Sequence, residues 1–431
     1  MNVADSRRLA SELEQLGHMP VERVEEADII VLNTCVVRQS AENKIYGRLG
    51  SLKPLKKARP DTVIGVMGCF VGKGETATLS RRFPWADVWM APSDPTRLLE
   101  HLERGGLVEE AHSMEVQKVR RRHRLQDGDL VLPAGDRGEL VSAYVSTVLG
   151  CSHACSYCII PYRRGPERSR LKGEILDEAR ALAAQGVREI TLLGQIVDRY
   201  GLDLEDSASL PSLLRELHEI AGLQRIRFLT SHPNWMTDAL LDAVAELPKV
   251  CEHIEVPVQA GDDEVLRRMK RGYTADNYRR LIDRIRHRID GVSIATDIIV
   301  GFPGETREQF QRTYDLLAEL RLDKAHIARY SPRPQTLATR RYEDDVPEEE
   351  KEARRKALDE LQAEIVGEIN AELEGETVPV LVEGKKGDRW WGRTRTDKLV
   401  YFEDADDWRG RVAPVRVTWT GPWSLIGEID S

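Results

Sequence analysis

The sequence has no hydrophobic run long enough to cross a membrane. Its longest apolar stretches, such as DIIVLN and ATDIIVGF, fall far short of the ~18 residues that a span requires, and its first residues, MNVADSRR, contain no apolar signal region. Cysteine is scarce: six in 431 residues are too few and too unevenly placed for a disulfide framework. We therefore expect a cytoplasmic protein that does not associate with membranes and whose cysteines remain thiols.

The chain also lacks an excess of positive charge. A net charge of −9 argues against indiscriminate nucleic-acid binding, because an acidic chain repels phosphate unless its basic residues gather on one face. Local basic clusters therefore matter more than the total. The length of 431 residues exceeds one ordinary hydrophobic core, which indicates several domains.

The hydrophobic pattern predicts an α/β protein followed by a small β domain. Residues 1–110 alternate amphipathic helices with short apolar strands, which predicts a flavodoxin-like parallel-sheet domain. Residues 111–138 lose this periodicity and form a predicted linker, whose KVRRRHR run is typical of a solvated charged segment. Residues 139–374 repeat strand and helix six times, which predicts a partial (βα)6 TIM-like barrel with a long final helix packed on it. Five short β segments in residues 375–431 predict a small β-barrel.

Three cysteines stand close together in the segment GCSHACSYC. Cys151, Cys155 and Cys158 directly follow the first predicted barrel strand, at the end where βα loops form active sites. Structural zinc usually takes four ligands, and His153 is the only further candidate nearby in sequence. Three thiolates suit an iron–sulfur cluster with one iron free of protein ligands. A zinc site with three cysteines and one histidine is the alternative.

The segments GCSHACSYC and IIPYRRG resemble the radical S-adenosylmethionine (SAM) superfamily. In that superfamily the open iron of a [4Fe-4S] cluster chelates SAM, and an electron from the cluster cleaves SAM to a 5′-deoxyadenosyl radical. The resemblance makes Cys151, Cys155 and Cys158 both the cluster ligands and the catalytic residues. Polar and glycine residues at the other strand ends agree with cofactor binding, although GFPGET also suits a turn before a helix. The candidate cofactor-binding residues are Gly194, Gln195, Ser231, Gln259, Asp297, Gly301, Pro303 and Gly304.

Nearly the whole chain resembles the methylthiotransferases, and IIPYRRGPERSR, LLGQ, TSHP, VPVQAGD and DIIVGFPGET match the tRNA branch. The resemblance implies an N-terminal domain with a second [4Fe-4S] cluster, a radical SAM barrel and a C-terminal TRAM domain that grips RNA. The implied reaction adds a methylthio group to C2 of N6-isopentenyladenosine beside the anticodon. One SAM supplies the radical and another the methyl group. The implied partners are the tRNA anticodon stem-loop and an electron donor such as a flavodoxin or ferredoxin, and we expect a monomer.

The implied reaction agrees with elementary chemistry. A side-chain base cannot remove an unactivated aromatic C–H, so a cofactor must carry that step. A base beside the anticodon lies in a loop, where it can be splayed out and stacked. Two alternative functions within the methylthiotransferases are modification of threonylcarbamoyladenosine in tRNA and modification of an aspartate of a ribosomal protein. The alternative outside this family is a noncatalytic RNA-binding protein with structural zinc.

Basic residues cluster in three places where RNA would approach. The group in the last domain alternates tryptophans with lysines and arginines, as a surface that stacks bases and contacts phosphates would. Trp390 or Trp391 could instead belong to the core of the small barrel. The candidates are Arg163, Arg164, Arg168 and Arg170 beside the cysteines; Arg267, Arg268, Lys270 and Arg271 after the fourth strand; and Lys385, Lys386, Arg389, Trp390, Trp391, Arg393 and Arg395 in the last domain.

The predicted second cluster has only two candidate ligands. Cys35 and Cys69 end two predicted strands of the N-terminal sheet, so both should reach the same crevice. The family pattern has a third cysteine, in a stretch like GCQMN, just before the point where this sequence begins with MNVADS. We expect that the natural protein has further N-terminal residues that supply this cysteine and the missing first strand. Cys251 precedes the fourth barrel strand and is expected to be structural.

Overall fold

The computed structural model describes residues 1–36, 39–72, 75–107, 131–205 and 208–430. Most of the predicted linker, including KVRRRHR, lies outside these residues. Within them, no helix is long and apolar enough to span a membrane.

The N-terminal domain is a parallel sheet with helices on both faces. Its strands run in the order β1-β2-β3. Alternate residues of β2 pack into two separate hydrophobic clusters: Ile64 and Val66 on one face, Val63 and Met67 on the other. This two-sided burial explains why the β2 segment VIGVMG is apolar throughout. The elements are β1 (Ile29–Thr34), β2 (Val63–Gly68), β3 (Val88–Met90) and the helices Asn2–Gln15, Gln39–Ala58, Thr76–Arg82 and Thr96–Arg104.

The central domain is an open barrel built from two parallel half-sheets of three strands each, β4-β7-β8 and β9-β10-β11. A single parallel bridge between Ile226 and Val250 joins the halves. These six strands are the six predicted from the sequence. They are β4 (Ser142–Ser146), β7 (Glu189–Leu193), β8 (Arg225–Phe228), β9 (His253–Glu255), β10 (Ser293–Val300) and β11 (Lys324–Arg329), and a short antiparallel pair, β5 (Val148–Leu149) and β6 (Arg168–Ser169), follows β4.

Helices cover the outside of this barrel, and the long helix Glu348–Ala371 packs on β10 and β11. Thr306 caps the helix Arg307–Leu320 through a reciprocal capping box with Gln309, so the GFPGET segment does form a turn before a helix. The remaining helices are Ile160–Arg164, Lys172–Ala184, Leu210–His218, Asp238–Glu246, Asp263–Met269, Ala275–Arg288 and Leu337–Arg341.

The C-terminal domain is a closed five-stranded barrel, which confirms the predicted small β-barrel. The strand order is β12-β13-β14-β16-β15. Its strands are β12 (Thr377–Lys386), β13 (Arg389–Arg393), β14 (Leu399–Glu403), β15 (Val412–Thr420) and β16 (Leu425–Ile429).

Arginines of the central domain bind the backbone of the C-terminal barrel. Arg225 donates to the carbonyl oxygens of Arg393 at 2.6 Å and Pro379 at 2.9 Å. Arg227 donates to those of Thr394 at 2.6 Å and Arg395 at 2.8 Å. Its Nε also pairs with the buried carboxylate of Glu189 at 3.0 Å. These contacts fix the small barrel against the strand β8.

Candidate active site

The cysteine loop begins at a glycine that no other residue can replace without strain. Gly150 has φ +70°, and a Cβ atom there would lie 2.1 Å from the carbonyl oxygen of Pro166. The loop is held on its other side by Ser156, whose backbone N–H donates to Met269 O at 3.0 Å and whose Oγ donates to Arg268 O at 2.7 Å. The position of the cysteines is therefore set by backbone contacts on both sides.

We expect Gly150→Ala to lower the iron content of the purified protein severely, because a left-handed alanine costs ~1–2 kcal/mol and the clash with Pro166 must also displace the loop. Gly291→Ala is the control: Gly291 precedes β10, has φ +61°, and nothing lies within 4 Å of a Cβ atom there. Anaerobic iron analysis of the two variants shows whether the iron content falls only when the strained glycine belongs to the cysteine loop. Equal iron contents would contradict this account.

The three thiols lie together and differ in their surroundings. All are free, and Cys151 and Cys158 pack in one small apolar cluster with Ile160 and Ile196. Burial would raise the pKa of Cys155, but hydrogen bonding from His153 and the charge of Arg271 lower it to about 7. Burial, followed by the charge of Cys155, raises the pKa of Cys158 to about 12. Cys155 is therefore the thiol that ionises most readily.

The donor set fits an iron–sulfur cluster. Three free thiols lie on one loop and interact electrostatically, and cysteine thiolates are the usual protein ligands of such clusters.

Arg271 is the residue of this site that sequence reasoning misplaced. It was predicted at an RNA surface, but it is only 5% exposed, and its Nη1 donates to Cys155 Sγ at 3.3 Å. Arg268 likewise turns inward and donates to the carbonyl oxygen of Pro303 at 2.5 Å. The sequence shows the charge of these residues but not the direction of their side chains.

A cavity of about 230 Å³ opens beside the cysteine loop at the carboxyl ends of β10 and β11. Cys158 forms one part of its wall, and Gln259 and Asp297, both predicted to bind the cofactor, form another. His326 and Arg333 also line it. Neither residue was predicted from the sequence, although both lie on or just after the sixth strand, where the barrel geometry places functional residues.

The other predicted cofactor residues do not line this cavity. Gly194 accepts a hydrogen bond from Thr230, and Gln195 donates to Met1 Sδ at 3.0 Å. Ser231 is buried, and its Oγ has no hydrogen-bond partner among the residues that the structure describes. In the GFPGET turn, Gly301 donates to Glu305 Oε2 at 2.6 Å, while the carbonyl oxygens of Pro303 and Gly304 accept from Arg268. These hydrogen bonds stabilise the turn, and they involve three residues that were predicted to bind the cofactor: Gly301, Pro303 and Gly304.

Cys35 and Cys69 lie together at the carboxyl edge of the N-terminal sheet. The backbone N–H of Cys69 donates to Thr34 O at 3.1 Å, which places the ends of β1 and β2 side by side. Burial raises the pKa of Cys69, whereas Arg164 of the central domain lowers it. Cys35 is exposed. This edge faces the cysteine loop of the barrel.

Two ion pairs connect this edge of the N-terminal sheet to the central domain. Arg163 pairs with Glu75 at 2.5 Å, and Arg333 pairs with Glu42 at 3.1 Å. Burial lowers the pKa of Arg333, and the nearby Glu42 and Cys35 oppose this shift. Arg333 therefore links the wall of the cavity beside Cys158 to the N-terminal domain.

The predicted RNA-binding residues separate into exposed and buried ones. Arg170 is 4% exposed and pairs with Glu178 at 2.5 Å, so the prediction that it contacts RNA is wrong. Arg168 is exposed, whereas Arg163 and Arg164 are engaged at the domain interface.

In the C-terminal barrel, Trp390 belongs to the core, while Trp391 on the opposite face is partly exposed. Lys385, Lys386 and Arg389 are exposed. Arg393 is partly exposed and lies near Glu383 and Asp397. Arg395 pairs with Glu252 of the central domain at 2.7 Å, which makes it an interdomain contact.

Three family models match the chain. They are "Radical SAM superfamily" over residues 145–317, "Uncharacterized protein family UPF0004" over residues 1–91 and "TRAM domain" over residues 371–429. One solved structure with a similar fold is the radical SAM methyltransferase TsrM from Kitasatospora setae, with cobalamin and a [4Fe-4S] cluster bound; its TM-score is 0.46 at 16% identity, over 72% of this chain and 77% of that one.

Curated relatives match from end to end. A tRNA-2-methylthio-N(6)-dimethylallyladenosine synthase of Roseiflexus sp. (strain RS-1) is 48% identical over 100% of this chain and 87% of that protein. A synthase of the same name from Herpetosiphon aurantiacus is 46% identical over 100% of this chain and 95% of that protein. With the cysteine loop and the three matching domains, these identities show that the chain belongs to the radical SAM methylthiotransferases, in the family of the tRNA-2-methylthio-N(6)-dimethylallyladenosine synthases.

Proposed function

We propose that this protein adds a methylthio group to C2 of N6-isopentenyladenosine next to the anticodon of tRNA. The observation that carries the proposal is the cavity with Cys158 and Arg333 in its wall, because Arg333 also pairs with Glu42 of the N-terminal domain and lies near Cys35. An adenine that is turned out of an anticodon loop can enter such an opening. The full-length similarity to synthases of this name supports the same reaction.

Cys151, Cys155 and Cys158 hold the cluster that binds SAM in this proposal. Cluster and SAM together supply the radical chemistry that removes the hydrogen from C2, a step that no side-chain base can perform. The chain itself binds and orients. Gln259 and Asp297 present an amide and a carboxyl group to the cavity, and the apolar wall formed by Ile298 and Ile299 limits access of water.

A second [4Fe-4S] cluster is proposed at Cys35 and Cys69. Both thiols lie at the carboxyl edge of the N-terminal sheet, and the cation of Arg164 lies beside Cys69, where it would favour a thiolate. Replacing both cysteines with alanine should lower the iron content by about half, because one of two equal clusters is lost. We further propose a cytoplasmic monomer that receives its electrons from a flavodoxin or ferredoxin.

Mass spectrometry of tRNA nucleosides from a deletion strain tests the function. The expected result is loss of 2-methylthio-N6-isopentenyladenosine, accumulation of N6-isopentenyladenosine, and rescue by the wild-type chain but not by Cys158→Ala. Loss of the methylthio group from threonylcarbamoyladenosine alone would instead identify the rival tRNA substrate. Unchanged methylthio nucleosides would exclude both.

The exposed cations of the C-terminal barrel provide a separate prediction about RNA binding. Lys385→Ala with Lys386→Ala should weaken binding of the anticodon stem-loop and reduce the slope of log K against log salt by about 2, since each phosphate contact contributes about 1. Lys57→Ala, an exposed lysine of the N-terminal domain, is the control. A salt slope equal to that of the control would show that these lysines do not contact phosphate.

A further inference from the structure

We propose that Arg271 is a positioning residue for the Cys155 corner of the cluster and raises its reduction potential. This inference rests on the part of the proposed function that assigns a cluster to Cys151, Cys155 and Cys158. It does not depend on the identity of the RNA substrate, so the two can fail independently.

The end of a helix turns Arg271 toward the cluster site. Helix Asp263–Met269 stops at Lys270, whose left-handed conformation (φ 58°) reverses the chain, and the backbone N–H of Arg271 then donates to Leu266 O at 3.0 Å. The next residue, Gly272, also has positive φ. Arg271 therefore leaves the helix in a fixed direction, into the barrel.

Three hydrogen bonds hold the guanidinium in one orientation. Nη1 donates to Cys155 Sγ at 3.3 Å, Nη2 donates to Pro257 O at 3.0 Å, and Nε donates to the hydroxyl oxygen of Tyr273 at 2.9 Å. The Tyr273 hydroxyl in turn approaches Val258 O at 2.8 Å. Each of the three guanidinium nitrogens therefore has a hydrogen-bond partner, and these bonds fix the orientation in which the guanidinium contacts the sulfur of Cys155.

The charge of Arg271 needs an anion at this place. Arg271 is 5% exposed, and an arginine side chain stays protonated in proteins. A buried cation is costly unless it is paired. The sulfur of Cys155 contacts the guanidinium directly, and a cluster held by three thiolates would supply the anion that it needs.

The physical consequence concerns the electron that the cluster accepts. Reduction adds one electron from an external one-electron donor, and no bond forms or breaks. The added negative charge would lie beside the guanidinium of Arg271. An N–H group of this guanidinium also donates to the sulfur of Cys155. Both effects stabilise the reduced form and therefore raise the potential.

The test is an anaerobic redox titration monitored by electron paramagnetic resonance. The reconstituted protein carries Cys35→Ala and Cys69→Ala, so that the signal comes from the central cluster. Arg271→Gln should keep its iron but lower the ratio of reduced to oxidised cluster about tenfold at a fixed potential, which corresponds to a shift of about 59 mV to more negative values. Arg271→Lys, which keeps the charge but not the fork, should show a smaller shift in the same direction. Arg267→Gln is the control, because the side chain of Arg267 is 71% exposed and pairs with Glu264 on its own helix.

Equal potentials for Arg271→Gln and Arg267→Gln would overturn the proposal. If Arg271→Gln loses its iron, the potential of Arg271→Lys decides, and an unchanged value contradicts the role. Tyr273→Phe removes the partner of Nε without touching sulfur and should also shift the potential to more negative values. Loss of iron in both arginine variants, together with an unchanged potential in Tyr273→Phe, would count against the proposal as well.

Discussion

Cys158→Ala is expected to lose the central cluster and, with it, all detectable methylthiolated product. Cys158 lies in the cavity wall and packs with Cys151. The remaining two thiols cannot hold a cluster that needs three. Anaerobic iron analysis and nucleoside mass spectrometry measure the two losses separately.

Cys251→Ala is the matched control for this variant. Cys251 is 1% exposed, but it precedes β9, and its backbone N–H donates to Ile226 O at 3.0 Å, away from the cysteine loop. It should retain iron and activity, with only a modest loss of stability. Retention of a normal central cluster in Cys158→Ala would contradict the ligand assignment.

Arg227→Met is expected to destabilise the protein by about 3 to 5 kcal/mol, because it leaves the carboxylate of Glu189 buried without its partner. The side chains of Arg227 and Glu189 are 3% and 5% exposed. The same change removes the donors to Thr394 O and Arg395 O, through which the small barrel is held. Calorimetry should therefore show a lower unfolding temperature and separate melting of the C-terminal barrel.

Arg389→Met provides the comparison for Arg227→Met. Arg389 pairs with Glu403 at 3.0 Å, but the two side chains are 55% and 64% exposed, and such surface pairs contribute at most about 1 kcal/mol. Equal losses of stability in the two variants would show that the pair at β8 does not hold the domains together.

The fold was predictable because each strand carries its own local signal. The six barrel strands are short apolar segments between helical stretches, and the last domain alternates strand residues with Gly, Asp and Pro. The contacts between domains were not predictable. Arg225 and Arg227 bind carbonyl oxygens more than 150 residues further along the chain, and a backbone carbonyl has no signature in sequence.

The candidate site was predictable where the spacing of residues fixed it, as for the three cysteines. It was less predictable where the direction of a side chain decides the role. Arg168 and Arg170 are two residues apart, yet one is exposed and the other is buried against Glu178. Arg267 and Arg271 differ in the same way, because one faces solvent on the helix and the other follows the turn at its end.

The central claim is that Cys151, Cys155 and Cys158 leave one iron open for SAM. The most direct test incubates the anaerobically reconstituted, chemically reduced protein with SAM and measures 5′-deoxyadenosine by mass spectrometry, with Cys158→Ala as the control. The account predicts 5′-deoxyadenosine from the wild-type chain and none from the variant. An iron-loaded, reduced wild-type protein that forms none would contradict it.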